Sequence, residues 1–336
     1  MKERIKWVDW AKTICMFLVI LGHCHLHETY KSITTIIYTF HMPLFFFISG
    51  LLCRSNWSVK SLIKDIKFIL IPYMTYGLIS IFIDSFLSHR LSSDVIYTEL
   101  IRYLMGYDIS IGPIWFLPAL FTCKQLFFLF RCIDYSHYTK LFLFITSLFP
   151  IYFIFHQNIN LPFFIDSGIC ALPFFYFGHY SSEMTKKIKQ LAPSSQIILF
   201  IIIILLLVPL GQLNGSVVIA DCIYGNNLFL YYINAFIGIV LIIQISISLE
   251  NKSHRIIYTF AYGSIVTLGI HGYILRFFHY YLPIALGYYE PTYSLLTALL
   301  YSTLVYTICL AIILVIDRTK FSNIFGLKGR VISPNK

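Results

Sequence analysis

The chain has 336 residues, of which 58% are hydrophobic, 18% aromatic and only 12% charged. This composition excludes a soluble globular protein, in which about a quarter of the residues are charged. The net charge of +10 does not indicate nucleic-acid binding, because the basic residues alternate with apolar segments and form no single patch. We therefore predict an all-α, polytopic integral membrane protein with the lipid bilayer as its partner.

Apolar segments of about the length that crosses a bilayer recur along almost the whole chain. We predict ten transmembrane helices, at 7–27, 33–52, 67–88, 111–131, 140–156, 166–181, 196–212, 228–248, 256–276 and 293–316. The segment between the third and fourth contains "DVIYTELIRYLMGY", whose mixed spacing of polar and apolar residues is typical of an interfacial amphipathic helix.

Lysine and arginine concentrate in cytoplasmic loops of membrane proteins. With the N-terminus placed inside, cytoplasmic segments hold 19 of the 25 Lys and Arg residues, and outer segments hold four. The other two, Lys12 and Lys124, fall within predicted spans. We therefore predict that both termini are cytoplasmic. Residues 1–320 would form one ten-helix membrane domain and residues 321–336 a short basic cytoplasmic tail.

Titratable residues inside a span are costly and are therefore functional candidates. The first predicted helix holds Asp9, Lys12 and His23. Eleven residues bring His23 to within roughly 20° of Lys12 around the helix, about 16 Å along its axis, and Asp9 is placed to pair with Lys12. The alternatives are that Lys12 extends to the inner interface and that His23 is a hydrogen-bonded packing residue.

Three further residues fall at a depth similar to that of His23. His41 lies in the second predicted span, Trp115 begins the fourth and His271 lies in the outer half of the ninth. Together they are typical of a cavity lining, although each alone could be a packing residue. At the inner ends of the first three spans, cations that include Arg54 and Lys67 would suit an anionic, phosphate-bearing ligand.

Neither a disulfide nor a metal site is expected. The eight cysteines are scattered and contain no C-x-x-C pair. His23, His25 and His27 do not make a tetrahedral set on a helix, because His25 points away from the other two.

Several of these stretches match a known family in order along nearly the full chain. "WVDWAKTICMFLVILGHCH" at 7–25 resembles the first-helix signature of acyltransferase family 3, the integral-membrane O-acyltransferases, in which a basic residue precedes a histidine by eleven positions. The other matching stretches are "FHMPLFFFISG" at 40–50, "IPY" at 71–73, "IWFLPALF" at 114–121 and "GSIVTLGIHGYI" at 263–274. Lys12, where much of the family has arginine, resembles the branch related to fucose 4-O-acetylase.

The resemblance implies a multi-pass enzyme of the inner (cytoplasmic) cell membrane. It would transfer an acetyl group from cytoplasmic acetyl-CoA, a co-substrate rather than a bound cofactor, to a sugar hydroxyl of a surface polysaccharide or its lipid-linked precursor. His23 would act as general base or carry the acetyl group transiently, and Lys12 would hold or orient the donor. His41, Trp115, His271, Arg54 and Lys67 would contact the substrates.

Two other classes of function remain open on the sequence. A transporter or flippase for a glycan or small metabolite could use Lys12 and the histidines as a substrate or proton path. A membrane scaffold would need neither Lys12 nor the histidines.

Overall fold

A computed structural model of the chain describes residues 4–24, 30–53, 56–88, 92–106, 112–132, 148–157, 159, 161–252, 254–285 and 294–327. Within these ranges the chain is helical, apart from one hairpin of two-residue strands.

The helices number fifteen in the part of the chain that the structure describes. They are α1 (Lys6–Gly22), α2 (Lys31–Leu52), α3 (Val59–Leu87, with a π-helical turn at Ile66–Leu70), α4 (Ser93–Met105), α5 (Phe116–Cys132), α6 (148–157), α7 (Ile165–Cys170), α8 (Leu172–Tyr180), α9 (Ser182–Gln190), α10 (Pro193–Asn214), α11 (Leu228–Leu249), α12 (Arg255–Tyr262), α13 (Ser264–Arg276), α14 (Leu282–Ala285) and α15 (Leu295–Asp317). A π-helical turn at Phe277–Tyr281 joins α13 to α14, and 3₁₀ turns lie at Gly112–Trp115, Pro162–Phe164, Ile219–Asp221, Glu250–Lys252 and Ser322–Phe325.

Five of the described helices, α2, α3, α10, α11 and α15, are long and apolar enough to cross a membrane. α10 has a mean hydropathy of 2.7, yet only 17% of its apolar window is buried inside the protein. Such an apolar outer surface is stable in lipid and not in water. The chain is therefore a helical membrane protein, and the count of ten spans and the orientation of the termini stay predictions.

The first helix ends earlier than the sequence predicts. α1 stops at Gly22, and His23 and Cys24 form a turn instead of continuing the helix to residue 27. α1 is therefore about 25 Å long, less than the roughly 30 Å of a bilayer core. His25 and His27 lie outside the described residues.

α1 lies at the centre of the bundle, in contact with α2, α11, α12, α13 and α15. Small buried residues such as Ala11 and Cys15 let these helices approach closely. Polar groups fix the arrangement as well: the Thr13 hydroxyl donates to the Ile257 carbonyl at 3.2 Å, and the Tyr306 hydroxyl donates to the Thr13 carbonyl at 3.1 Å. α1 is thus held from several sides, which fixes the position of His23 at its end.

An ion pair joins the basic end of α3 to α5. The Lys124 ammonium donates to Asp65 Oδ1 at 2.5 Å, and Gln125 Nε2 donates to the other carboxylate oxygen at 3.3 Å. The Asp65 side chain is 6% exposed and that of Lys124 20%. Lys124, which the sequence places within a span, therefore has a structural partner.

Asp65→Asn should lower the free energy of unfolding by about 1.5–3 kcal/mol, because it removes charged hydrogen bonds that water reaches only in part. The thermal unfolding midpoint of the protein in detergent measures this effect. Glu183→Gln is the matched control, because it breaks the exposed Lys186–Glu183 pair and should leave the midpoint unchanged. Equal midpoints for the two variants would contradict the prediction.

An antiparallel hairpin follows α10, where the sequence predicts only a connection. Val217 pairs with Tyr224 and Val218 with Ile223. The fully buried Asn214 closes it, because its Nδ2 donates to the Tyr224 carbonyl at 2.9 Å and its Oδ1 accepts from the Asn227 amide at 3.0 Å. The hairpin thereby has a fixed position over the end of the bundle.

The described part of the predicted tail, 321–327, packs against the helical body. Leu327 is fully buried against Val266 of α13 and Ile313 of α15. The Phe325 carbonyl accepts a hydrogen bond from Tyr76 of α3 at 3.3 Å. These residues therefore contribute to the packing of the domain.

Candidate active site

His23 caps the C-terminal end of α1 and is half-buried. Its Nδ1 lies 2.7 Å from the Val19 carbonyl oxygen, one helical turn earlier. A carbonyl oxygen only accepts hydrogen bonds, so Nδ1 carries the hydrogen in the neutral ring and Nε2 keeps its lone pair. The end of α1 thus orients an imidazole whose free nitrogen can take a proton.

His41 and His271 have the same arrangement on two other helices. Nδ1 of His41 lies 2.8 Å from the Ile37 carbonyl in α2, and Nδ1 of His271 lies 2.8 Å from the Thr267 carbonyl in α13. His271 is fully buried, and its Nε2 has no hydrogen-bond partner among the described residues. Each of the three histidines is therefore fixed by its own helix as the tautomer with a basic Nε2.

The three imidazoles converge around the end of α1. The His23 ring meets the His271 ring edge to face, with centroids 5.5 Å apart. The Tyr38 ring lies between His23 and His41, with its centroid 6.0 Å from that of His23 and 5.1 Å from that of His41. The Tyr38 hydroxyl donates to the Gly22 carbonyl at 2.9 Å, which ties α2 to the last residue of α1 and fixes the position of His23.

A cavity of about 70 Å³ opens beside these rings. His23, Tyr38, His41 and Trp115 line one part, and hairpin residues 217–220 line another. The indole of Trp115 is 7% exposed, with its own aromatic neighbours on α2 and the 3₁₀ turn before α7. This volume is well below the roughly 300–1,000 Å³ of a ligand pocket, so the cavity can accept a reacting group but not a whole substrate.

Four of the residues singled out in the sequence meet here, His23, His41, His271 and Trp115, and two others, Lys12 and Lys67, do not. Lys12 is half-buried on α1, about 16 Å along the axis from His23. Lys67 is exposed on α3, and Arg54 lies outside the described residues.

Asp9 forms its hydrogen-bonded ion pair with Arg4 and not with Lys12, although the Asp9 and Lys12 charges still attract each other. Arg4 Nε donates to the Asp9 carboxylate at 2.5 Å instead. Arg4 precedes the first turn of α1, and its guanidinium carbon lies 4.1 Å from the centroid of the Tyr258 ring. The guanidinium therefore contacts both the Asp9 carboxylate and an aromatic face.

Sequence reasoning missed Tyr38 and the hairpin. Tyr38 precedes His41 by three residues on one helix, so the spacing alone could have placed the two side chains on one face. Residues 217–220 are mostly apolar and give no comparable signal.

A second cavity, of about 490 Å³, lies at the opposite end of α1. The cationic side chains in its wall are Arg4, Lys6, Lys186 and Lys189. Lys189 pairs with Glu250, and Lys186 donates to Glu183 at 2.7 Å, which holds the pKa of that exposed carboxyl below its ordinary value. Arg4 pairs with Asp9, so among the described residues Lys6 alone of these four cations forms no ion pair. The lining still holds more cations than carboxylates, which favours an anionic group.

Comparison with known families matches residues 5–318 to an acyltransferase domain. No curated protein and no solved structure matches the chain significantly. The family match covers the histidine site, all five of the long apolar helices and the lining of the cationic cavity except Arg4. The chain therefore belongs to acyltransferase family 3 and is a membrane acyltransferase.

Proposed function

We propose that the protein transfers an acetyl group from cytoplasmic acetyl-CoA to a sugar hydroxyl of a surface polysaccharide or its lipid-linked precursor, in the inner cell membrane. The observation that carries this proposal is the position of His23, whose ring is fixed with a basic Nε2 beside a cavity lined by an aromatic wall. The lysine at position 12 is consistent with the branch related to fucose 4-O-acetylase.

A sugar hydroxyl is a weak nucleophile, so its attack on a thioester needs a base that is neutral near pH 7. His23 Nε2 takes the hydroxyl proton as the oxygen bonds to the acetyl carbonyl carbon. The carbon–sulfur bond then breaks, and the proton on Nε2 passes to the departing thiolate. The protein ends the cycle in its starting protonation state.

The neighbouring side chains support this step in different ways. His271 packs edge-on against His23 and limits the rotation of its ring. His41 offers a second basic nitrogen in the cavity wall, and Trp115 offers an apolar face against which a sugar ring can stack. Together they give the acceptor a fixed orientation relative to His23.

The donor would bind from the predicted cytoplasmic side. The cationic cavity at the start of α1 suits the phosphates of acetyl-CoA, and Arg54 and Lys67 are further candidates. From there the thin pantetheine arm has to reach past Lys12 toward His23. The axial distance from Lys6 to His23 is about 25 Å, so the donor phosphates and the reacting thioester lie at opposite ends of α1.

The purified full-length protein in nanodiscs should move ¹⁴C-acetate from acetyl-CoA onto surface glycan taken from cells that lack the gene and de-O-acetylated with mild base. One free thiol should appear for each acetate bound, because the carbon–sulfur bond breaks in every turnover. A transporter or flippase would release no thiol and leave no ester. Release of thiol without acetate on the glycan would also contradict the proposal.

A further inference from the structure

A third cavity, of about 660 Å³, lies between α3, α4 and the π-helical turn after α13. It is far larger than the cavity beside His23 and falls within the usual range for ligand sites. Side chains that line it include Ser80, Asp84, Ser85, Asp94, Thr98 and Glu99. Its chemistry thus differs from that of the cationic cavity at the start of α1.

Hydroxyl groups give this cavity a hydrogen-bonding wall. Ser85 is 4% exposed, and its hydroxyl makes no hydrogen bond with any described residue. Ser80 is equally buried, accepts from the Tyr273 hydroxyl at 2.6 Å and donates to Asp84 Oδ2 at 3.3 Å. Because Ser85 lines the cavity, its hydroxyl is available to hydrogen bond with a molecule that enters.

The charges in the wall select against anions. Arg276 Nη1 donates to Asp84 Oδ1 at 2.7 Å, which offsets that carboxylate. Asp94 and Glu99 add two more carboxylates, and the Arg102 guanidinium forms an ion pair with Glu99 at 3.9 Å. The three carboxylates exceed the two paired arginines by one, so the wall keeps a small excess of negative charge, which disfavours the phosphates of acetyl-CoA. Carboxylates and hydroxyls together suit a neutral or amine-bearing ligand that has many hydroxyl groups of its own.

Two helices fix where this cavity lies. Along α3, Asp84 is about 30 Å from Lys64 at the basic end of the helix, so the cavity is on the predicted outer side. Along α13, Arg276 is about 7–8 Å from His271, which contacts His23. The cavity therefore lies close to the depth of the histidine site and a membrane thickness away from the donor side.

We propose that this cavity binds the acceptor glycan, holding the sugar units that adjoin the one presented to His23. The proposal rests on the proposed function and adds the site that selects the acceptor. The small cavity beside His23 accepts the reacting hydroxyl, and the hydroxyl-rich cavity holds the chain from which that hydroxyl projects. The glycan that fits is neutral or amine-bearing, because the acidic wall disfavours phosphorylated or uronic chains.

A matched pair of threonines tests this site. Thr98 on α4 is exposed and Thr75 on α3 is half-buried. Each hydroxyl donates to the carbonyl four residues earlier, but only Thr98 lines the cavity. In the nanodisc assay, Thr98→Phe should raise the half-saturating concentration of de-O-acetylated glycan at least 10-fold, with that of acetyl-CoA unchanged. Thr75→Phe should change neither. Ser85→Ala, which leaves the backbone undisturbed, should raise the half-saturating concentration of glycan about 3–10-fold, because one hydrogen bond to the glycan is lost.

The outcomes separate this proposal from the one on which it rests. If the wild-type protein transfers no acetate, both proposals fail. If it transfers acetate and Thr98→Phe and Ser85→Ala match Thr75→Phe, the acceptor site is wrong and the transferase assignment stands. A rise in half-saturating acetyl-CoA instead of glycan would also overturn the site, because the cavity would then serve the donor.

Discussion

His23→Asn is expected to lower acetate transfer by about 10²–10⁴-fold, the usual contribution of a general base. The asparagine amide can still donate to the Val19 carbonyl from nearly the position of Nδ1, so the end of α1 keeps its hydrogen bond. Only the basic Nε2 is lost. The initial rate of ¹⁴C-acetate transfer at saturating acetyl-CoA measures the effect.

His254→Asn controls for the substitution itself. His254 is exposed just before α12, and its replacement should leave the rate within two-fold of wild type. If His23→Asn keeps more than about a tenth of the wild-type rate at the same membrane level, His23 is not the base. Radiolabel that stays on the wild-type protein after removal of acetyl-CoA, and is absent in His23→Asn, would instead identify His23 as an acetyl carrier.

Gly50→Ala and Gly178→Ala should each destabilise the protein, by about 3 kcal/mol. The two glycines form a reciprocal contact between α2 and α8. A Cβ on Gly50 would lie 2.0 Å from the Phe175 carbonyl oxygen, and one on Gly178 would lie 2.0 Å from the Phe47 carbonyl oxygen. Neither obstacle is a side chain that could rotate away, so the helices would have to separate along a contact that small residues keep close.

Gly272→Ala provides the control, because a Cβ there meets nothing within 4 Å. Alanine favours a helix over glycine by about 1 kcal/mol, so this variant should be as stable as the wild type or more so. The unfolding midpoint in detergent gives the comparison. A fall in the midpoint for Gly272→Ala as large as that for Gly50→Ala would show that the reciprocal contact is not the cause.

Much of the architecture follows from hydropathy alone. The five long apolar helices coincide closely with predicted spans, and the amphipathic segment predicted after the third span is helix α4. Hydropathy succeeds here because every backbone polar group in lipid must be satisfied within its own helix. It fails at the end of α1, where residues 23–24 form a turn although the predicted span extends to residue 27.

The candidate site could be predicted only in part. The histidines were identifiable as titratable residues in apolar segments, but their convergence depends on how α1, α2 and α13 pack. The ion pair of Asp9 with Arg4 instead of Lys12 depends on the chain direction before α1, which helical spacing does not specify. The acidic cavity combines residues of α3 and α4 with Tyr281, and no motif links these segments in the sequence.

The most direct test of the transferase assignment is the ester-linked acetate on the surface glycan of cells that lack this protein, complemented with the wild type or with His23→Asn at equal membrane levels. We expect acetate to return with the wild type and to stay absent with His23→Asn. Unchanged acetate in the deleted and both complemented strains would contradict the assignment, and a transport function would then explain the same helices better.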